Sequence, residues 1–272
     1  MKFADLHIHT YFSDGTDSVG SLIKQIKPLG LTCVSITDHD NVDALEEALV
    51  LFEKENIELI PGIELTAEYN QQEVHILGYF IDHKDRTLID KLNFLKNNRR
   101  ERVRKMIEKL NRLGVDISVE NVLNIAGKAT IGRLHLAYAL VKEKKVSSVS
   151  EAFRKYIGEE APAYVLGFRF NLQEGIELVK KCGGIPVLAH PYSIKENSLY
   201  KIIESGVEGI EVYYPEHTPY LVNYYLSLAQ KYNLLVTGGS DFHGELKPDT
   251  KLGLIKIPYE LVKNLKDAKD KR

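Results

Sequence analysis

Residues 3–14 read Phe-Ala-Asp-Leu-His-Ile-His-Thr-Tyr-Phe-Ser-Asp, and the way this stretch is read decides the fold. If Phe3 to His9 forms a β-strand, the two-residue period sends Asp5, His7 and His9 to one face and Leu6 and Ile8 to the other. A His-x-His on a strand sets two imidazoles side by side without a turn, and neutral imidazole is the commonest protein ligand of divalent transition metals. The competing reading is an amphipathic edge strand with its polar residues in water. The rest of the chain has to choose between them.

Composition permits one large α/β domain or a domain with an inserted subdomain, because 272 residues with 44% hydrophobic content can bury a sizeable core. Lys and Arg total 36 against 38 Asp and Glu, and the formal charge of −2 gives no global attraction to nucleic acid or membrane. Cys33 and Cys182 lie in apolar segments and are expected as buried thiols, not as a disulfide or a zinc pair. No apolar run approaches the roughly 18 residues of a membrane span, and the first residues lack a leader pattern. A soluble, cytoplasmic protein is expected.

Outward from the opening strand, the spacing of Val19, Leu22, Ile23 and Ile26 predicts a helix capped by Asp17 or Ser18 and stopped by Gly30. Leu31 to Thr37 is a near-continuous apolar strand ending in Asp38-His39-Asp40, and a helix over about 42–55 follows. Ile57 to Leu65 is a strand with a bend expected at Pro61-Gly62 and Glu64 near its end; Val74 to Ile81, led by His75, is another. Such alternation argues for βα units and a parallel sheet. It resumes at Asn171, with strands at Ile185 to Ala189, Gly209 to Tyr213, Leu234 to Thr237 and Gly253 to Ile257. At least seven strands in this order suffice for a closed or distorted (βα) barrel.

Between these halves the period changes. Leu88 to Leu113 reads as one long helix weakened around Asn97 to Arg100, and shorter helices are expected at about 119–126, 132–144 and 149–157. The barrel is therefore assigned to 1–87 and 168–272, and 88–167 to a helical insertion forming a substrate lid. Leu88 to Gly114 carries nine Lys or Arg against three Asp or Glu, and Lys128 to Lys155 seven against two. The insertion is a basic island on a slightly acidic chain. A solvated helix face is the plain alternative for those charges.

His7, His9, His39, Glu64, His190, Asp241 and His243 all fall at or just past the C-terminal ends of expected strands. In (βα) barrels that rim carries the active site. His75 is the exception, at the start of its strand, and needs an antiparallel or bulged placement to join them. A mixed set of imidazoles and carboxylates suits manganese, iron or zinc better than magnesium or calcium.

The segments Asp5-Leu6-His7-Ile8-His9-Thr10 with Ser13-Asp14-Gly15, Thr37-Asp38-His39-Asp40, Pro61-Gly62-Ile63-Glu64, Ala189-His190-Pro191 and Gly239-Ser240-Asp241-Phe242-His243 resemble, in order and spacing, the motifs of the PHP (polymerase and histidinol phosphatase) superfamily. The resemblance implies a distorted seven-stranded barrel holding three divalent ions, commonly manganese, zinc or iron. It assigns His7, His9, Glu64 and Asp241 to one ion, Glu64, His75 and His190 to a second, and Asp14, His39 and His243 to a third. Asp5 and Asp38 are expected either to orient ligand imidazoles or to cap strand ends.

Within the insertion, Ile131-Gly132-Arg133-Leu134-His135 resembles a Gly-Arg-x-His motif of the PHP branch that includes nucleoside 3',5'-bisphosphate phosphatases and an exoribonuclease. The segment Val207 to Pro215 with His217 is similar to that branch as well. Arg133 at a helix start is expected to clamp a phosphate, with Arg133 and His135 in catalytic or substrate-binding roles, His135 or His217 beside a metal-bound water as candidate proton donors, and Tyr192, Tyr213 or Tyr214 stacking a base. The expected activity is metal-dependent hydrolysis of the 3'-phosphate of nucleoside 3',5'-bisphosphates, with 5'-to-3' trimming of short RNA. The alternatives are a histidinol-phosphate-type phosphomonoesterase and a non-catalytic metal-binding module. The expected partner is a small phosphorylated nucleotide or short RNA, without duplex DNA, membrane or obligate protein partner.

Overall fold

A computed structural model describes residues 2–127 and 129–272. The elements in chain order are β1 (Phe3–Ile8), α1 (Val19–Leu29), β2 (Leu31–Ile36), α2 (Leu45–Lys54), β3 (Glu58–Tyr69), β4 (Gln72–Tyr79), α3 (Arg86–Arg112), α4 (Val119–Ala126), α5 (Arg133–Lys142), α6 (Val149–Ala152), β5 (Phe170–Asn171), α7 (Leu172–Lys181), β6 (Ile185–Leu188), α8 (Glu196–Glu204), β7 (Gly209–Tyr213), α9 (Pro219–Tyr232), β8 (Leu235–Gly238), β9 (Ile257–Pro258) and α10 (Tyr259–Asp270). The helix ends follow local chemistry. Ser18 accepts the Ser21 N–H to start α1, and Gly30 closes it in the left-handed conformation at φ 71°.

The sheet runs β8-β7-β6-β4-β3-β2-β1-β9, with the short β5 beside β3. Beyond β8 the chain returns to β1: Asp241 N–H donates to His7 O at 2.8 Å, and His9 N–H to Phe242 O at 2.9 Å. The result is a nearly closed, barrel-like sheet of the kind that the alternation predicts and the resemblance implies. Within it β4 pairs antiparallel with both β3 and β6. The N-terminal end of β4 therefore lies at the rim where its neighbours end, and His75 sits there.

Two expectations need correction, and the long helix is as expected. The strand is not interrupted at Pro61-Gly62; β3 continues through it as a 12-residue strand. A side chain at Gly62 would collide with Ser35, so this glycine marks a close approach between strands. The strand expected at Gly253 to Ile257 shrinks to Ile257–Pro258, paired antiparallel with β1. Helix α3 is unbroken over 27 residues. Its Leu88, Leu92 and Leu95 pack into the main barrel core, whereas Val103, Met106, Ile107 and Leu110 pack into a separate core shared with α4, α5 and α6. The polar stretch at Asn97 to Arg100 is where one helix passes between two cores.

Candidate active site

Strand ends deliver the donor groups. His7 lies in β1 and His9 just beyond it, Asp14 in the following turn, His39 beyond β2, Glu64 in β3, His75 in β4, His190 beyond β6, and Asp241 and His243 beyond β8. The chain pays for this convergence in backbone strain: His190 and Asp241 adopt φ of 22° and 51°. Asp241 is fixed by its hydrogen bond to His7 O, and His190 by its N–H donating to Glu211 at 2.9 Å. A side chain at Gly239 would collide with His7, so only glycine lets this segment lie against β1.

Three groups of donors have their ligand atoms within 4.8 Å of one another: His7, His9, Glu64 and Asp241; His9, Asp14, His39 and His243; and His39, Glu64 and His75. His190 Nε2 is 2.9 Å from Glu64 Oε1, and His75 Nδ1 is 2.8 Å from the same oxygen. Glu64 is fully buried at the centre. Burial works against its charge, but His39, His7 and His75 hold its carboxyl well below the usual range. Asp14 and Asp241 are likewise held low against burial, by His39 and His243 and by Lys247 and His243 respectively.

The arrangement fits divalent cations. His9 Nε2, Asp14 Oδ1 and His39 Nδ1 are buried and have no hydrogen-bond partner. His9 Nε2 and His39 Nδ1 nevertheless stand 3.1 and 3.2 Å from Glu64 Oε2. Lone pairs converging without hydrogen-bond alignment, in a set of imidazoles and carboxylates, are what a borderline metal ion requires.

A second layer orients these donors. Glu211, buried in β7, takes His7 Nδ1 at 2.9 Å with one oxygen and the His190 amide with the other. Asp5 and Asp38 touch no imidazole N–H. Asp5 accepts the Ser240 and Gly253 amides at 2.8 and 3.0 Å, and Asp38 accepts the Thr10 amide and the Thr10 and Ser13 hydroxyls. Of the two roles expected for them, the geometry is the capping one.

The donors open into a cleft of about 200 Å³, lined also by Glu73, Arg99, Arg102, Arg133 and Lys247. An adjoining cavity of about 400 Å³ adds His190, Tyr192 and Glu159. Glu73 joins the two chemistries. Its Oε1 accepts Arg133 Nη2 at 2.8 Å and lies 3.2 Å from His75 Nε2, while its Oε2 accepts Arg169 Nη2 at 2.5 Å. Arg99 donates to Asp40 and Thr66. Arg102 Nη2 is buried without a partner, and burial followed by Arg133 pulls its guanidinium down to about 10. This wall is short of anions.

Arg133 lines both the cleft and the adjoining cavity, and Tyr192 lines the latter. Tyr213 does not; it packs against the apolar cores. A register shift between Glu211 and Tyr213 turns the next residue inward, so that Tyr214 OH donates to Asp241 at 2.9 Å and its ring stacks on Tyr192. His135 is buried, and its Nδ1 accepts the Gly132 amide at the start of α5. His217 Nδ1 lies 2.8 Å from Val212 O, with its ring against Tyr214 and Tyr225. Neither lines the cleft. Glu73, Glu211, Arg99, Arg102, Arg169 and Lys247 were not singled out by sequence reasoning. Glu73 carries a usable signal, because it lies two residues before His75 on one strand and so shares its face.

The PHP domain family model matches residues 5–160. The chain belongs to this family. It is 28% identical to the 5'-3' exoribonuclease Rnm of Escherichia coli over 88% of its length and 84% of that protein. It is also 28% identical to a 3',5'-nucleoside bisphosphate phosphatase of Chromobacterium violaceum over 89% of its length and 88% of that protein. A phosphoribosyl 1,2-cyclic phosphate 1,2-diphosphodiesterase of Eggerthella lenta shares 28% identity over 89% of this chain and 94% of that one. Among solved structures, one from Bifidobacterium adolescentis, described as a metal-dependent phosphoesterase, superposes with a TM-score of 0.88 at 32% identity, covering 96% of this chain and 94% of that one.

Proposed function

We propose that this PHP protein is a metal-dependent phosphoesterase that removes the 3'-phosphate from nucleoside 3',5'-bisphosphates and trims short RNA from its 5' end. The observation that carries the reading is the juxtaposition, in one cleft, of the rim donors with a guanidinium wall around Glu73. One phosphate is cleaved at the donors and a second is read by the wall. The activities named for the relatives from Escherichia coli and Chromobacterium violaceum support both halves.

In this reading three divalent ions of the manganese, zinc or iron class are held by His7, His9, Glu64 and Asp241; by Glu64, His75 and His190; and by Asp14, His39 and His243. When bound, such ions supply Lewis acidity at the phosphoryl group and a nucleophile derived from water at neutral pH. Glu211 holds the His7 imidazole and the His190 backbone in place, so that the rim is rigid before substrate arrives. Arg133, with Arg102 beside it, takes the second phosphate through charge-assisted hydrogen bonds. Tyr192, stacked on Tyr214, offers a face for the base. His135 acts by fixing the start of α5, and hence Arg133; His217 acts by supporting Tyr214. Residues 88–167 serve as the substrate lid.

A panel in which a nucleoside 3',5'-bisphosphate, a nucleoside 5'-monophosphate, histidinol phosphate and a short 5'-phosphorylated RNA compete for manganese-loaded protein tests this. Preferred turnover of the bisphosphate and the RNA is expected. Preferred turnover of histidinol phosphate, or of none, would overturn it.

A further inference from the structure

Just outside the cleft, residues 164–168 run antiparallel to α3, tied down where Lys109 Nζ donates to Tyr164 O and Arg102 Nε to Val165 O. The segment alternates. Gly167 lies on the Arg102 side chain and Arg169 reaches Glu73, so both face the cleft wall. Leu166 and Phe168 face solvent, 58% and 45% exposed. Phe94 of α3, itself 51% exposed, meets Phe168 edge to face with centroids 4.9 Å apart. Single exposed apolar side chains are ordinary. A trio pinned back to back with the guanidinium wall is a surface that the reaction on a mononucleotide leaves unused.

We propose that Phe94 and Phe168 form a stacking platform for the body of a single-stranded RNA whose 5' end occupies the cleft. This rests on the reading of the cleft given above. Lys91, Phe94, Asn98 and Lys105 follow helical spacing along one side of α3, so cations flank the aromatic pair on the same face. Lys91 is exposed and forms no ion pair among the described residues, and Lys105, also exposed, is 3.6 Å from Glu101 one turn away on the same helix. Aromatic faces interleaved with exposed cations are the chemistry of sequence-tolerant single-strand binding, in which bases stack and phosphates track the positive charge. A second copy of the chain fits less well, since a symmetric contact would set this basic face against itself.

The test compares KM for a 5'-phosphorylated dinucleotide with KM for a 5'-phosphorylated RNA of about ten nucleotides, using manganese-loaded full-length protein. Wild type is expected to favour the longer RNA. Phe94→Ala/Phe168→Ala should raise KM for the longer RNA about tenfold with little change for the dinucleotide. Lys91→Glu, which leaves both rings in place, should flatten the salt dependence of the longer substrate alone. Equal KM shifts for both lengths, no shift for either, or a change of oligomeric state in the double variant would overturn the platform while leaving the cleft reading intact. Failure of wild type to cleave any RNA would overturn the platform and the RNA half of that reading together.

Discussion

One wall of the cleft is made of imidazoles and carboxylates from the strand ends of the barrel; the other is made of guanidinium groups from α3, α5 and the segment before β5. The first wall is held by backbone. Each donor sits on or beside a strand whose register is fixed by its neighbours, and Glu211 ties two of them together. The second wall is held by side chains. Arg133 and Arg169 share one half-buried carboxylate, Glu73, with Glu159 and Glu68 adding to Arg169, and the helices that carry this wall pack partly on a separate core. A wall fixed by backbone suits chemistry, where small displacements are costly. A wall gathered by one carboxylate suits recognition, because its cations can be repositioned without moving the barrel.

The comparison breaks most visibly at Asp14. Replacing it by Ala removes a donor from the rim without cutting a strand, so kcat should fall about a thousandfold, the equivalent of roughly 4 kcal/mol. Metal content measured on the same sample should drop with it, while the thermal midpoint moves little. At Glu73 the expectation is reversed. Glu73→Ala leaves the half-buried Arg133 without its carboxylate and Arg169 with only Glu159 and Glu68, and should destabilise the fold by about 2 kcal/mol in urea unfolding. Glu73→Gln should recover part of that loss. Removal of Arg133 should affect recognition: Arg133→Ala is expected to lower kcat/KM for a nucleoside 3',5'-bisphosphate by roughly thirtyfold, about 2 kcal/mol, with a much smaller effect on the 3'-monophosphate.

The smallest effect is a pH slope. Burial opposes protonation of His9 and His75, yet Asp241 and Glu64 raise His9 to about 9, and Glu64 and Glu73 raise His75 to about 10. Groups raised in the folded state add stability below their unfolded value near 6.5 and lose it as pH climbs through the folded value. Metal-free protein should therefore lose stability between about pH 7 and 10. Saturating manganese displaces those protons and should remove the slope. A metal-free thermal midpoint that rises over this range would contradict the account.

Much of the barrel wall was legible in the sequence because its signals are local. Strand period, the Asp38-His39-Asp40 end and the Gly239-Ser240-Asp241 turn all announce themselves in short windows, and the family motifs are built from the same windows. His75 resisted the strand reading because an antiparallel strand looks like any other until its partners are known; the family resemblance brought it in. The second wall was only partly legible. Arg133 has a motif, but Arg99 lies in what reads as a weakness of α3 and Arg102 just past it, since a helix passing between two cores shows a polar gap in its apolar stripe. Tyr213 and Tyr214 could not be told apart from the sequence, because the register shift that separates them is one that no periodicity reveals. Arg169 and Lys247 meet the cleft through loops, and nothing in their local sequence distinguishes them from surface cations.

The central claim is that one wall cuts a 3'-phosphate while the other reads the 5'-phosphate. Phosphorus NMR of a nucleoside 3',5'-bisphosphate turned over by manganese-loaded protein tests it most directly. Inorganic phosphate and the 5'-monophosphate are expected as products, in equal amounts. Accumulation of the 3'-monophosphate, or an unchanged spectrum with metal bound, would contradict it.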